Sequence, residues 1–600
     1  MTTHERATKS DWHAIAKTCR DHRQKTIDAV SPALPEIARN LPLNVTGVPH
    51  RLLAADTLKI TELPTEVLLQ ELASGRLSSA AVAQAFLQRA GLAQKLTNCI
   101  TELLPQQARD RAEFLDKYYL ENQKPIGPLH GLPISVKEHI SMKGLDLNAG
   151  FVSWVGQLGI DDALIVKLLF NAGAVFYART TEPQTLMHLE CSSNIFGVTT
   201  NPHNRNLTSG GSSGGEGALL GLKGSCLGIG TDIGGSIRSP AANNGVFGLR
   251  PTSFRLPLDG FAATMLGQEQ IVPVVGPMST SLEGIKVFMK TLIDQKPWLY
   301  DPSLNPLPWK QPSSHPSGTL LRCGANGSRK LRIGVLADDG IVRPHPPILR
   351  GITTLISRIQ HHPDIEIVPF PAYKHDEAWR IISSLYFADA GQEELAAMSA
   401  SGEPLRPMSQ WILEQSPHQQ PLTIAEVWKL TCERDAYKTA YTRHWNSVNT
   451  HLAGPDDEDS STMLLQGEDA QDVAEKMVDV ILCPVGPGVA PLFHTAKYWN
   501  YTSQWNLLDY PSLVFPTGLK CLPEEDGMEE GYQPRNEKDK YNYDLCEYFC
   551  TSLKFRDAPI SLQLVGRRYE DEKVIEALEL ILEVSQSHEM PPTSTGTSKL

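Results

Sequence analysis

Gly210-Gly-Ser-Ser-Gly-Gly215 is followed by Gly230-Thr-Asp-Ile-Gly-Gly-Ser-Ile-Arg238, and the fold turns on how these two clusters are read together. A flexible linker is excluded, because Leu219, Leu220, Leu222, Leu227 and Ile229 lie between them and require burial. The Gly-x-Ser-x-Gly of a nucleophile elbow needs a hydrophobic strand before it, and the lead-in here is Asn201-Pro-His-Asn-Arg-Asn-Leu-Thr-Ser209. Gly228, Gly230 and Gly234 miss the dinucleotide spacing by one residue, and no Gly-Lys-Ser/Thr closes a phosphate loop. What remains is a strand, Cys226-Leu-Gly-Ile-Gly230, a tight turn over 231–235 and a short helix from about Ser236. Glycines entering a helix aim successive N–H groups at one point, which suits an oxyanion, and Ser236 sits beside them. A serine hydroxyl attacks only when a base takes its proton, so a partner is required.

Outward from this stretch the texture is strand, helix, strand. Leu132-Pro-Ile-Ser-Val-Lys137, Ala174-Val-Phe-Tyr-Ala178, Lys330-Leu-Arg-Ile-Gly-Val-Leu336 and Pro559-Ile-Ser-Leu-Gln-Leu-Val-Gly566 read as strands. Residues 163–171 and the Val574, Leu578, Ile581 and Leu582 series read as helices. Upstream, Thr65 opens one helix as its cap and Gly75 closes it; a second runs from Ser79 to about Lys95 with Val82, Phe86 and Leu87 on one side. Alternation of this kind predicts an α/β fold with a mixed central β-sheet covered by helices on both sides, in one large domain. The expected division is a helical extension over 1–60, the main domain over 61–585 with its signature core at about 125–255, and a tail over 586–600. Residues 296–330, rich in Pro, Ser and Gly, read as an exposed connection, and the acidic runs at 455–461 and 523–531 as solvated loops.

Composition narrows the partners. A net charge of −13 argues against nucleic acid and anionic membranes, which call for a basic face. The ten cysteines include no Cys-x-x-Cys pair, so neither zinc nor a disulfide framework is expected. No window has the length of apolar sequence needed to cross a membrane, and the first residues lack a signal-peptide core. The expectation is a soluble intracellular chain, in which the Asn-x-Ser/Thr triplets at Asn44, Asn206, Asn326 and Asn500 are chance matches. The chain ends Ser598-Lys599-Leu600 after a polar Pro/Gly-rich stretch, which predicts an exposed tag for the peroxisomal import receptor, with the cytoplasm as the alternative location.

The stretches 210–219, 230–238 and Gly248-Leu-Arg-Pro-Thr252 together resemble the signature of the amidase signature family, in its fungal acetamidase and fatty acid amide hydrolase branch. The resemblance extends through Gly127–Lys137, Cys483-Pro-Val-Gly-Pro-Gly488, Trp505-Asn-Leu-Leu-Asp-Tyr-Pro511 and 562–572, about 60 to 585 in all. It implies a Ser-Ser-Lys triad of Lys137, Ser212 and Ser236, in which neutral Lys137 draws a proton through Ser212 and Ser236 attacks an amide carbonyl. It further implies an oxyanion hole from the N–H groups of Ile233, Gly234, Gly235 and Ser236, a cis peptide before Ser212, and a backbone contact from Met187 to substrate. Asp232 and Arg238 are expected to pair and brace the turn. Ser213 is the alternative to Ser212 that only family register sets aside. Glu138 stands where the family commonly has Asp.

The implied reaction is hydrolysis of a small-molecule amide to a carboxylate and ammonia or an amine, with no metal or cofactor and a homodimer possible. An esterase of the same fold, an amidotransferase-type subunit and an inactive homologue are the competing readings. Nothing in the chain resembles the N-terminal membrane helix of animal fatty acid amide hydrolases.

Overall fold

The computed structural model describes residues 11–315, 317–323, 328–456, 473–527, 531–547 and 553–587. Its strands, in chain order, are β1 Ile100–Leu103, β2 Pro133–Lys137, β3 Val175–Thr180, β4 Ser192–Ser193, β5 Gly197–Val198, β6 Leu227–Asp232, β7 Phe247–Arg250, β8 Val274–Ser279, β9 Arg322–Cys323, β10 Arg329–Val335, β11 Ile365–Pro369, β12 Val480–Pro484, β13 Ser512–Lys520 and β14 Pro559–Val565. All but the β4–β5 pair join one mixed sheet in the order β1-β3-β2-β6-β8-β7-β13-β14-β12-β10-β11, with β9 on β10. β3, β2 and β6 run parallel, as do β11, β10 and β12, while the strands between them pair antiparallel.

Parallel strands buried on both faces read as continuous apolar runs, and β2 and β6 are buried along their whole length. Their register, Ile134 to Leu227 and Val136 to Ile229, brings Lys137 at the end of β2 beside Thr231 and Asp232 at the end of β6. The C-terminal edge of parallel strands is where open α/β sheets hold their sites. The Gly214–Gly221 helix packs on the sheet here, and its fully buried Glu216 accepts from Ser135 Oγ at 2.6 Å and Thr180 Oγ1 at 2.9 Å.

One apolar core runs from Ile27, Val30 and Val48 through β2 and β6 to Val574 and Ile581, so residues of the 1–60 segment share it. A second cluster, built around Tyr386, Tyr441, Trp445, Trp499 and Trp505, backs the site from the other side.

Several local expectations need correction. Thr65 does not cap its helix, whose N-cap is Pro64; its hydroxyl donates to Cys226 O at 3.1 Å, tying the helix to the start of β6. The helix after the glycine turn begins at Arg238, two residues later than Ser236, because Asp232 takes the N–H of Ile237. The 296–330 span is not simply exposed: Leu304, Thr319 and Leu321 are buried, and β9 extends the sheet. Its Pro and Ser content forbids long regular elements but not burial. In the 523–531 run Asp526 is buried and takes Arg350 through two bonds of 2.7 and 2.9 Å. The helix Asp571–Ser587 reaches two residues into the segment expected as a tail. Asn326, 457–461, 528–530, Cys550 and Ser598-Lys599-Leu600 lie outside the described residues. Among the described residues no helix is long and apolar enough to cross a membrane.

Candidate active site

Lys137 ends a buried strand with no exposure, and its Nζ donates to Ser212 Oγ at 2.6 Å and to Thr231 Oγ1 at 3.0 Å. Burial costs the ammonium its hydration and lowers the lysine from its usual 10.5 to about 8; the nearby carboxyl of Glu182 is the main opposing influence. Glu182 itself is pushed well above the carboxylate range by burial and then by Glu138. Glu138 turns away from the lysine and accepts from the N–H groups of Asn148 and Ala149 at 2.9 and 3.0 Å, with Arg179 at 3.7 Å.

The two neighbouring serines face different ways. Ser213 Oγ points at the Thr231 backbone, 3.4 Å from its carbonyl and 3.3 Å from its N–H, while Ser212 is the one at Lys137. The Gly211–Ser212 peptide is cis. A side chain at Gly211 would meet His188 O and the Glu190 backbone within 2.6 Å, so only glycine lets the loop fold back this tightly. Ser213 N–H donates to Ser236 O at 3.0 Å, which holds the first serine cluster against the second.

Asp232 and Arg238 pair across the turn, both fully buried. Arg238 donates to both Asp232 oxygens at 3.0 Å, to Thr502 O at 2.9 Å and to Asn506 Oδ1 at 2.6 Å; Asn506 Nδ2 in turn donates to Asp232. Burial would raise the Asp232 carboxyl, but the Arg238 guanidinium outweighs it and holds it at about 2. Asp232 also takes the N–H of Gly235 at 2.9 Å. Among the described residues no protein acceptor takes the N–H groups of Ile233, Gly234 or Ser236. Gly235 has φ 133°, and a Cβ there would lie 2.5 Å from Thr502 Oγ1, so the turn requires glycine at that point.

Asp232→Ala should therefore cost about 3–5 kcal/mol of stability, since it strands a fully buried guanidinium. Denaturant unfolding checks this, and an unchanged midpoint would show that the ion pair does not hold the turn.

Ser212, Ser236, Thr231, Ile233 and Met187 all line one cavity of ≈ 370 Å³, whose walls are largely apolar, with Leu258, Phe261 and Met265 among them. That volume falls in the range of small-molecule sites. Thr185 and Leu186, just before Met187, both adopt left-handed backbone, φ 71° and 60°, of the kind that clusters at functional sites. Among the described residues no group of three or more His, Cys, Asp or Glu side chains converges in a way that could hold a metal ion.

Sequence reading missed Thr231, His139, Thr502 and Asn506. Thr231 lies inside the quoted motif, and His139 follows Lys137 in the tight turn that ends β2, closed by Ile140 N–H donating to Lys137 O at 3.1 Å. Thr502 and Asn506 come from the Asn500–Leu508 helix, distant in sequence, and carried no local signal. Trp499 and Trp505 pack in the second core and Tyr498 and Tyr501 against Val342, leaving polar residues of that helix to brace the turn.

The sequence model of the family described as amidase matches residues 81–575. The chain is 37% identical over 524 residues to the acetamidase of Emericella nidulans, covering 87% of this chain and 89% of that protein. It is 34% identical over 540 residues to the acetamidase of Aspergillus oryzae, covering 90% and 93%. Among solved structures it is similar to a fatty acid amide hydrolase, with a TM-score of 0.83 and 32% identity over 96% of this chain and 95% of the other.

Proposed function

Since this chain belongs to the amidase family, we propose that it hydrolyses a carboxamide through an acyl-enzyme on Ser236, with Ser212 and Lys137 as its proton relay. The supporting observation is the 2.6 Å contact between buried Lys137 and Ser212, at the wall of the cavity that also holds Ser236. Neutral Lys137 accepts the Ser212 proton as Ser212 accepts that of Ser236, and Ser236 Oγ attacks the amide carbonyl carbon. The oxyanion is held by the N–H groups of Ile233, Gly234 and Ser236; that of Gly235 is directed at Asp232 and braces the turn instead.

Collapse of the tetrahedral intermediate needs a proton on the leaving nitrogen, and the relay run backwards supplies it from Lys137 through Ser212. Water then attacks the ester on Ser236, giving up a proton along the same path to Lys137; the relay returns it to Ser236 Oγ as the acyl–oxygen bond breaks, and the acid leaves as its carboxylate. Met187 contributes a backbone contact to substrate at the cavity wall.

The relatives are named for acetamide and fatty acid amides, which leaves acyl length open. The cavity, at ≈ 370 Å³, has room for far more than an acetyl group. Purified protein assayed on matched amide and ester pairs, from acetamide through aryl amides to long-chain acyl amides, tests the reading. Release of ammonia or amine with the carboxylate is expected; cleavage of esters alone would overturn it.

A further inference from the structure

His139 lines the catalytic cavity, is buried, and sits in a fixed frame. Its backbone carbonyl accepts from Ala262 N–H at 2.9 Å, its ring stands edge-on to Phe261 at 5.7 Å, and its two ring nitrogens meet Ala262 O at 2.8 Å and Thr231 Oγ1 at 3.0 Å. A backbone carbonyl only accepts, so Nδ1 carries the ring proton. Burial, and after it the neighbouring Lys137, keep the imidazole well below its ordinary pKa, so the ring has one proton only. Nε2 is then an acceptor, and the hydrogen bond between it and Thr231 runs from the hydroxyl to the ring.

That direction matters for Lys137. A neutral amine has two N–H groups and one lone pair. With its own proton committed to His139, Thr231 Oγ1 accepts from Lys137, and the lone pair is left for Ser212. If the Thr231 hydroxyl were free to rotate it would donate to that lone pair at 3.0 Å and compete with Ser212 for it.

We propose that His139 is a positioning residue of the proton relay: through Thr231 it fixes a one-way chain of donors, Ser236 to Ser212 to Lys137 to Thr231 to His139 to the Ala262 carbonyl. The proposal rests on Lys137 being the base of the relay, as argued above.

Asparagine at 139 places its amide where Nδ1 lies and keeps the Ala262 contact but leaves Thr231 without an acceptor. Glutamine places its carbonyl oxygen where Nε2 lies and restores the acceptor. His139→Asn is expected to lower kcat about tenfold, the scale of one misdirected hydrogen bond, with KM within about twofold. His139→Gln should recover most of that loss. Thr231→Val removes the competing hydroxyl, so His139→Asn/Thr231→Val should turn over faster than His139→Asn alone. Active sites are counted by fluorophosphonate titration and folding by thermal melts, so that kcat refers to folded enzyme. Equal kcat for the Asn and Gln variants, or a double variant as slow as the product of the two single losses, would overturn the proposal. If Lys137→Met kept wild-type turnover, the relay reading itself would fail, which is a separate result.

Discussion

Ser236→Ala is expected to lower kcat for amide hydrolysis on the order of 10⁵-fold, with the fold unchanged. The size follows from what is lost: without an attacking oxygen no acyl-enzyme forms, and only water held near the oxyanion donors can react. The donors themselves survive, because the turn is set by Asp232, Arg238 and Gly235, none of which uses the Ser236 hydroxyl. Substrate affinity should change little. A steady-state assay against an unaltered thermal melt checks this, and a variant retaining more than about a hundredth of wild-type kcat would remove Ser236 from the nucleophile role.

Lys137→Met should cost on the order of 10²- to 10⁴-fold, the range of a lost general base. Methionine fills nearly the same volume and spares the site the desolvation of a buried ammonium, so the protein should remain folded. The pH profile carries the sharper signature. Burial lowers Lys137 to about 8, and the neutral amine is the active form. Wild-type kcat/KM should therefore rise about tenfold per pH unit below that value and level off above it. The Met variant should lack this limb. A limb of the same position in the variant would assign the ionisation to another group.

Much of the frame was legible because it obeys local rules. β2, β3, β6, β10 and β14 are short stretches rich in apolar and β-branched residues and lie within one or two residues of where such stretches predict them. β8 and β13 were not legible: Val274-Val-Gly-Pro-Met-Ser279 and Ser512–Lys520 carry Pro277 and Pro516 inside the strand, which count against a strand, and only pairing with β6, β7 and β14 makes them so. The site divides in the same way. Lys137, Ser212 and Ser236 stand in short motifs whose glycines announce special backbone, whereas the Asn506 and Thr502 supports come from more than 260 residues further along the chain. The choice of Ser212 over Ser213 had no basis in composition; it becomes visible only where the chain folds back and turns one hydroxyl to Lys137 and the other to the Thr231 backbone.

The central claim is that Ser236 carries the acyl group, and the most direct measurement is mapping of the covalent adduct left by a serine-directed fluorophosphonate. Mass spectrometry of the digested protein should place one adduct per chain on Ser236, in step with the loss of amide hydrolysis. An adduct on Ser212, Ser213 or any other residue, or full labelling with activity intact, would contradict it.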